Sequence, residues 1–147
     1  MQSSVKQILQ SKGTDVWSVN PETTVYDALS LMAEKDIGAV VVLEQGNLVG
    51  IFSERDYVRL AVRQKETLNR LPVRTFMTRD VITVAPDQSV SDCMLLMTNR
   101  RIRHLPVIEN DLLVGMVTIG DVVKTMISDQ ALMLEEMENY ISGRYGH

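Results

Sequence analysis

One stretch of this chain repeats itself. Shifted by about 65 residues, Val16–Tyr57 lies over Val81–Val122 without a gap, with roughly a third of positions identical. The matches are patterned. Val19, Pro21, Val25, Asp27, Leu31 and Met32 meet Val84, Pro86, Val90, Asp92, Leu96 and Met97. Further on, Val42, Leu48, Val49, Gly50 and Asp56 meet Val107, Leu113, Val114, Gly115 and Asp121. A duplication constrains the fold strongly, because both copies must adopt the same local structure. One copy of about 45 residues leaves a sheet face open and is marginal alone. Two copies packed sheet to sheet about a pseudo-two-fold axis bury both faces. A single pseudo-symmetric α/β (α+β) domain is therefore expected, not two independent ones.

Each copy reads β-α-β-β-α. A short strand (Val16–Val19; Val81–Val84) stops at Asn20-Pro21 or Ala85-Pro86, since proline ends a ladder. A helix follows, opened by Thr24-x-x-Asp27 or Ser89-x-x-Asp92. Its apolar stripe is Val25, Ala28, Leu29 and Met32, answered by Val90, Cys93, Met94 and Met97. A continuous apolar strand comes next (Ala39–Leu43; Leu105–Ile108). A turn at Gln45-Gly46-Asn47 or Glu109-Asn110-Asp111 leads to the third strand (Leu48–Phe52; Leu113–Val117). The second helix opens at Ser53-x-x-Asp56 or Thr118-x-x-Asp121.

Outside the copies, Val5–Ser11 reads as a helix with Val5, Ile8 and Leu9 on one face, and Arg63–Arg74 as a charged connector broken by Pro72. Ser128–Tyr140 reads as a C-terminal helix with Leu134, Met137 and Ile141 about a turn apart. The expected segments are residues 1–12, a first repeat over 13–62, a connector over 63–75, a second repeat over 76–127, and a helix and tail over 128–147.

Composition narrows the function classes. The longest apolar run, Ala39–Leu43, is far too short to span a bilayer, and no charged-then-apolar leader is visible. Cys93 is the only cysteine, so a disulfide framework or thiolate metal cluster is excluded. It falls on an apolar stripe and reads as a core thiol. Net charge is −4, with no block of Lys/Arg apart from acidic neighbours, which argues against a nucleic-acid binder or a polybasic membrane patch. With two histidines, His104 and the terminal His147, a zinc constellation cannot be assembled. There is no P-loop, no G-x-G-x-x-G and no Ser/His/Asp set in plausible context. The chain reads as cytoplasmic and non-catalytic.

The residues resemble a known family. Thr24-Val25-Tyr26-Asp27-Ala28, Gly38-Ala39-Val40-Val41-Val42 and Val49-Gly50-Ile51-Phe52-Ser53-Glu54-Arg55-Asp56 follow the pattern of cystathionine β-synthase (CBS) domains. So do Ser89-Val90-Ser91-Asp92-Cys93, Arg103-His104-Leu105-Pro106-Val107 and Val114-Gly115-Met116-Val117-Thr118-Ile119-Gly120-Asp121, preceded by a lead-in at Phe76-Met77-Thr78. The resemblance implies a tandem pair, or Bateman module. Such pairs bind adenosine-containing ligands (AMP, ADP, ATP, NAD or S-adenosylmethionine) in clefts between the copies, and commonly dimerise. It thus implies a regulatory adenine-nucleotide module, a homodimer and an unidentified protein partner. The competing reading is a dimeric interaction module whose clefts are empty.

Asp56 and Asp121 are the leading candidates. A carboxylate at a helix start can accept both hydroxyls of a ribose diol, while Ser53 or Thr118 and the helix N–H groups face phosphate. The same spacing is also a capping box, and Thr24/Asp27 and Ser89/Asp92 share it with no ligand implied; the resemblance favours ribose at the second helices only. Gly38 and Ala39 are small enough for adenine to approach the backbone, whereas Arg103 and His104, with Arg100 and Arg101 nearby, offer charge to phosphates. By family analogy one cleft combines Gly38 and Ala39 with Thr118 and Asp121. The other combines Thr78, Arg103 and His104 with Ser53 and Asp56. Arg55 is left open between phosphate contact and solvation, and Ile37, Val81 and Ile102 complete the candidate lining.

Overall fold

A computed structural model describes residues 2–62 and 68–143. The chain divides into two compact units. One comprises Asp15–Ile82 with Asn110–Val114; the other comprises Met1–Thr14, Thr83–Glu109 and Gly115–His147.

The unit built on the first repeat contains β1 (Ser18–Val19), α2 (Val25–Lys35), β2 (Ala39–Glu44), β3 (Asn47–Ser53) and α3 (Glu54–Ala61), α1 (Val5–Lys12) belonging to the other unit. Strand β1 runs parallel to β2, with Ser18 against Val41, and β2 runs antiparallel to β3, with Ala39 against Ser53 and Val42 against Gly50. The hairpin turns through Gln45 and Gly46, both at positive φ (50° and 82°), the left-handed pair that a tight two-residue connection requires. The pairing shifts register after Val42, leaving Val49 as an extra residue on β3. Val25, Ala28 and Met32 of α2 pack with Val40, Val42 and Phe52 of the sheet, as their helical and alternating spacings dictate. The charged connector contributes to this core. Residues 63–67 lie outside the described residues, but the remainder forms two 3-10 turns, Leu68–Arg70 and Val73–Thr75, either side of Pro72, and buries Leu68 and Val73.

The second-repeat unit contains α1 (Val5–Lys12), α4 (Val90–Arg100), β4 (His104–Glu109), most of β5 (Leu112–Thr118) and α5 (Ile119–Ile141). Its core is Val5, Ile8 and Leu9 of α1, Val90, Cys93 and Met97 of α4, Leu105, Val107, Val117 and Val122. Burial, with the neighbouring Asp92 charge, pushes the Cys93 thiol up to about 11, which fits a structural role. The N-terminal segment is strapped to this repeat: Val90 N donates to Ser3 O (2.9 Å) and Val5 N to Gln88 O (2.9 Å). Ser3 Oγ also donates to Asp129 Oδ1 (2.7 Å).

Three expectations are corrected. The first strand is shorter than Val16–Val19, being Ser18–Val19. The strand expected over Val81–Val84 shrinks to one bridge, Val84 with Val107. The reason is Pro106. It stands where the first repeat has Val41, whose N–H donates to Trp17 O (3.3 Å); proline has no N–H, so the ladder cannot extend. Finally, the second helix of repeat two and the expected helix over Ser128–Tyr140 are one 23-residue helix, α5. No glycine or proline interrupts Val122–Tyr140, and Ser128 sits inside the helix, not at its start.

Candidate functional site

All four S/T-x-x-D motifs cap helices, but in two ways. Thr24 and Ser89 each accept the backbone N–H three residues on, and no reciprocal bond returns from Asp27 or Asp92. At the second helices the bond is reciprocated. Ser53 Oγ accepts from Asp56 N (3.2 Å) and Asp56 Oδ2 accepts from Ser53 N (3.0 Å). Thr118 Oγ1 accepts from Asp121 N (3.2 Å) and Asp121 Oδ2 accepts from Thr118 N (2.9 Å). The capping reading is thus satisfied at the two aspartates the sequence singled out, and it orients both carboxylates alike at a strand-to-helix junction.

Each junction is closed by the residue just before β2 or β4. Glu54 N donates to Gly38 O (3.0 Å), and Ile119 N donates to Arg103 O (2.9 Å), the matching position of the second copy. In the first-repeat unit, Gly38, Ala39, Ser53, Asp56 and Thr78 therefore lie together. Ala39 pairs with Ser53, and Thr78 exchanges two backbone bonds with Ile51 (2.9 and 3.0 Å). Gly50 is required there, because a side chain would run into Met77 and lie 3.1 Å from the Thr78 carbonyl. Arg55 is exposed in the first turn of α3. In the second-repeat unit, Arg103, His104, Thr118 and Asp121 lie together. The structure thus brings Arg103 and His104 to Asp121, and Gly38 and Ala39 to Asp56, each within its own repeat.

Ile37 and Ile102 are half-buried, each just past a left-handed helix end at Asp36 (φ 54°) or Arg101 (φ 55°), with N–H groups on Met32 O (3.0 Å) and Met97 O (3.1 Å). Arg100 and Arg101 are placed by the C-terminal end of α4, where cations are favoured. Val81 is half-buried outside any strand, and His147 lies outside the described residues.

Sequence reasoning missed Lys12. Its ammonium sits 2.7 Å from Asp121 Oδ2 and 3.0 Å from Met116 O. Met116 matches Ile51, whose carbonyl takes the Thr78 N–H, so a lysine side chain serves in one repeat where backbone serves in the other. Burial alone pushes the Asp121 carboxyl up, but the Lys12 bond and charge, with the Thr118 donors, outweigh it and hold the group below its ordinary range. His104 is held below its ordinary 6.5, first by burial and then by the Arg103 and Lys12 charges, against the pull of Asp121.

A folded-state histidine pKa below the unfolded one means fewer protons bound when folded, so stability rises with pH across that window. His104 contributes fully above about 6.5, and the contribution is lost as pH falls through its folded value. In urea titrations the unmodified chain is expected to lose more stability than His104→Gln on acidification from about 6.5 down through that folded value; parallel losses would refute the assignment.

Among the described residues no group of three or more His, Cys, Asp or Glu is placed to hold a metal, and no helix is long and apolar enough to cross a membrane. A β-α-β-β-α unit and a second copy whose first strand is reduced to one bridge, each with a capped carboxylate at its last strand-to-helix junction, define a tandem-repeat module. The chain belongs to the CBS domain family, whose profile matches residues 5–63 and 73–128. It is 37% identical to the mitochondrial CBS domain-containing protein CBSX3 of Arabidopsis thaliana, over 97% of this chain and 74% of that one. Among solved structures it resembles a putative signal-transduction protein with CBS domains from Burkholderia ambifaria (44% identity, TM-score 0.83, 87% of this chain and 96% of that one). It shares its fold with the CBS domain pair of protein MJ0100, solved with 5′-methylthioadenosine and S-adenosyl-L-methionine (24% identity, TM-score 0.76, 88% and 99% covered).

Proposed function

We propose that this chain is a non-catalytic regulatory module that binds adenosine-containing ligands (AMP, ADP, ATP or NAD) and passes a conformational change to a protein partner. The observation that carries the reading is the pair of carboxylates, Asp56 and Asp121, each oriented by a reciprocal cap at a helix N-terminus. In both, the cap engages Oδ2; Oδ1 is the acceptor proposed for a ribose hydroxyl, at a helix N-terminus whose dipole favours phosphate. The adenosyl ligands of the MJ0100 pair support the ligand class. A ligand acts as a signal only through different affinities for two arrangements of the module. A cytoplasmic setting and a homodimer complete the proposal.

A second reading has its own observation. Ile127, Leu134, Met137 and Ile141 leave an apolar face of α5 largely exposed, as an interaction module without a working ligand site would.

One measurement separates the two. With nucleotide-stripped protein, AMP, ADP, ATP, NAD or S-adenosylmethionine is expected to raise the unfolding midpoint with concentration, with GTP as base control. A flat panel would reject the nucleotide reading and leave the interaction module.

A further inference from the structure

Helix α5 outruns the core that holds it. Val122 is its one buried residue, and every residue from Gln130 to Glu138 is exposed. That stretch is nonetheless apolar along one side. At about 100° per residue, Ile127, Met133, Leu134, Met137, Tyr140 and Ile141 share one half of the helix surface, interrupted by Gln130. Ile127, Leu134 and Ile141 recur every seven residues, the spacing of a seam that packs against a second helix. Leu134 is 66% exposed and Ile141 80%, so the chain itself does not cover the seam.

Negative charge borders this face on both sides. Glu138 and Glu135 follow one edge, Glu136 and Asp129 the other, and residues 125–141 contain no Lys, Arg or His. The three glutamates do not stabilise the helix that carries them. A helix C-terminus disfavours negative charge, the last turn of α5 has no basic residue, and Glu135 and Glu138 repel at a spacing of three. Cationic side chains laid along both edges offset each of these costs. A second copy does not supply them. Two such stretches laid face to face, in either direction, bring carboxylates against carboxylates. An anionic lipid surface is repelled for the same reason.

We propose that the distal half of α5 docks an amphipathic helix of a protein partner, one whose apolar stripe is bordered by Lys or Arg on both sides. The inference rests on the regulatory reading above for there being a partner, and it names that partner's chemistry. It leaves the homodimer to another surface of the chain.

The probe is a synthetic helical peptide of about 20 residues, long enough to cover the face, with leucine at seam spacing and lysine elsewhere. The same peptide with glutamate for lysine is the control. Fluorescence anisotropy with the full chain, free of nucleotide and at low salt, is expected to show the lysine peptide binding at least about tenfold more tightly. Leu134→Gln with Ile141→Gln is expected to weaken it about tenfold or more. Circular dichroism and the unfolding midpoint are expected to stay unchanged, since neither side chain is buried. Glu135→Gln with Glu136→Gln and Glu138→Gln is expected to weaken it similarly and to flatten its salt dependence. Equal binding of the two peptides, or binding that either set of substitutions leaves intact, overturns the proposal. So does sedimentation as a dimer that Leu134→Gln with Ile141→Gln dissociates, which gives the face to a second copy. Flotation with phosphatidylglycerol vesicles, abolished by the same pair, also overturns it and gives the face to a membrane. If the lysine peptide fails while nucleotides raise the unfolding midpoint, this inference alone falls. If it binds as expected while the nucleotide panel is flat, the nucleotide reading alone falls.

Discussion

Replacing Asp121 with alanine is expected to weaken an adenosine ligand at the second repeat by about 1.5–3 kcal/mol, roughly ten- to a hundredfold in affinity. The carboxylate is the acceptor proposed for the ribose hydroxyls, and no other residue of the capping box carries a negative charge. The same substitution also removes the bond from Thr118 N and the partner of Lys12. Losing the cap costs about 1 kcal/mol of stability. The partly exposed ion pair adds little beyond that. Asp121→Asn separates the two effects, because an amide oxygen still accepts from Thr118 N while the charge is gone. Asparagine is expected to recover most of the lost stability and little of the lost affinity. If Asp121→Ala lowers the unfolding midpoint and leaves calorimetric affinity intact, the carboxylate is a cap and nothing more.

Phe52→Ala is expected to cost about 3–5 kcal/mol, a large share of the 5–15 kcal/mol typical of a folded domain. Phe52 is fully buried, lies opposite Val40 across the β2–β3 pair and belongs to the cluster that holds α2, Val73 and Met77 together. Urea unfolding is expected to show a much lower midpoint with little change in slope. A midpoint within experimental scatter of the parent would contradict the packing described.

The repeat, the caps and the hairpin turns were legible because each is local. Thr24, Ser53, Ser89 and Thr118 cap helices where the spacing places them, and Asn110 and Asp111 adopt the positive φ of their turn as Gln45 and Gly46 do. The spacing did not reveal which caps are reciprocated, since Asp27 and Asp56 read alike until the side-chain bonds are seen. Pro106 fits a family motif, yet its missing N–H is what reduces the Val81–Val84 strand to a bridge. Ser128 has the composition of a helix start, and only continuous backbone hydrogen bonding shows it to be interior.

Lys12 was the hardest to see. It lies 109 residues from Asp121 in sequence, and no pattern within either repeat connects them. A signal did exist in the register of the lead-in segments. Leu9 packs on Gly115 as Met77 packs on Gly50, so α1 runs about one turn further before it ends than the corresponding stretch after Val73 does. That extra turn carries the only lysine of the helix's end. Following the two lead-ins as carefully as the two repeats would have placed a cation beside one carboxylate and not the other.

The unbroken α5 has a mechanical consequence. Its 23 residues form a rod about 34 Å long, with Asp121 in its first turn and Ile141 at its far end. A rod pivoting at one end amplifies rotation into travel, so a tilt of about 5° at the capping box carries the tip roughly 3 Å. In the first repeat, among the described residues, the matching helix α3 ends at Ala61 after 8 residues. Among the described residues, then, the junction beside Lys12 is the one of the two equivalent junctions that continues into a lever.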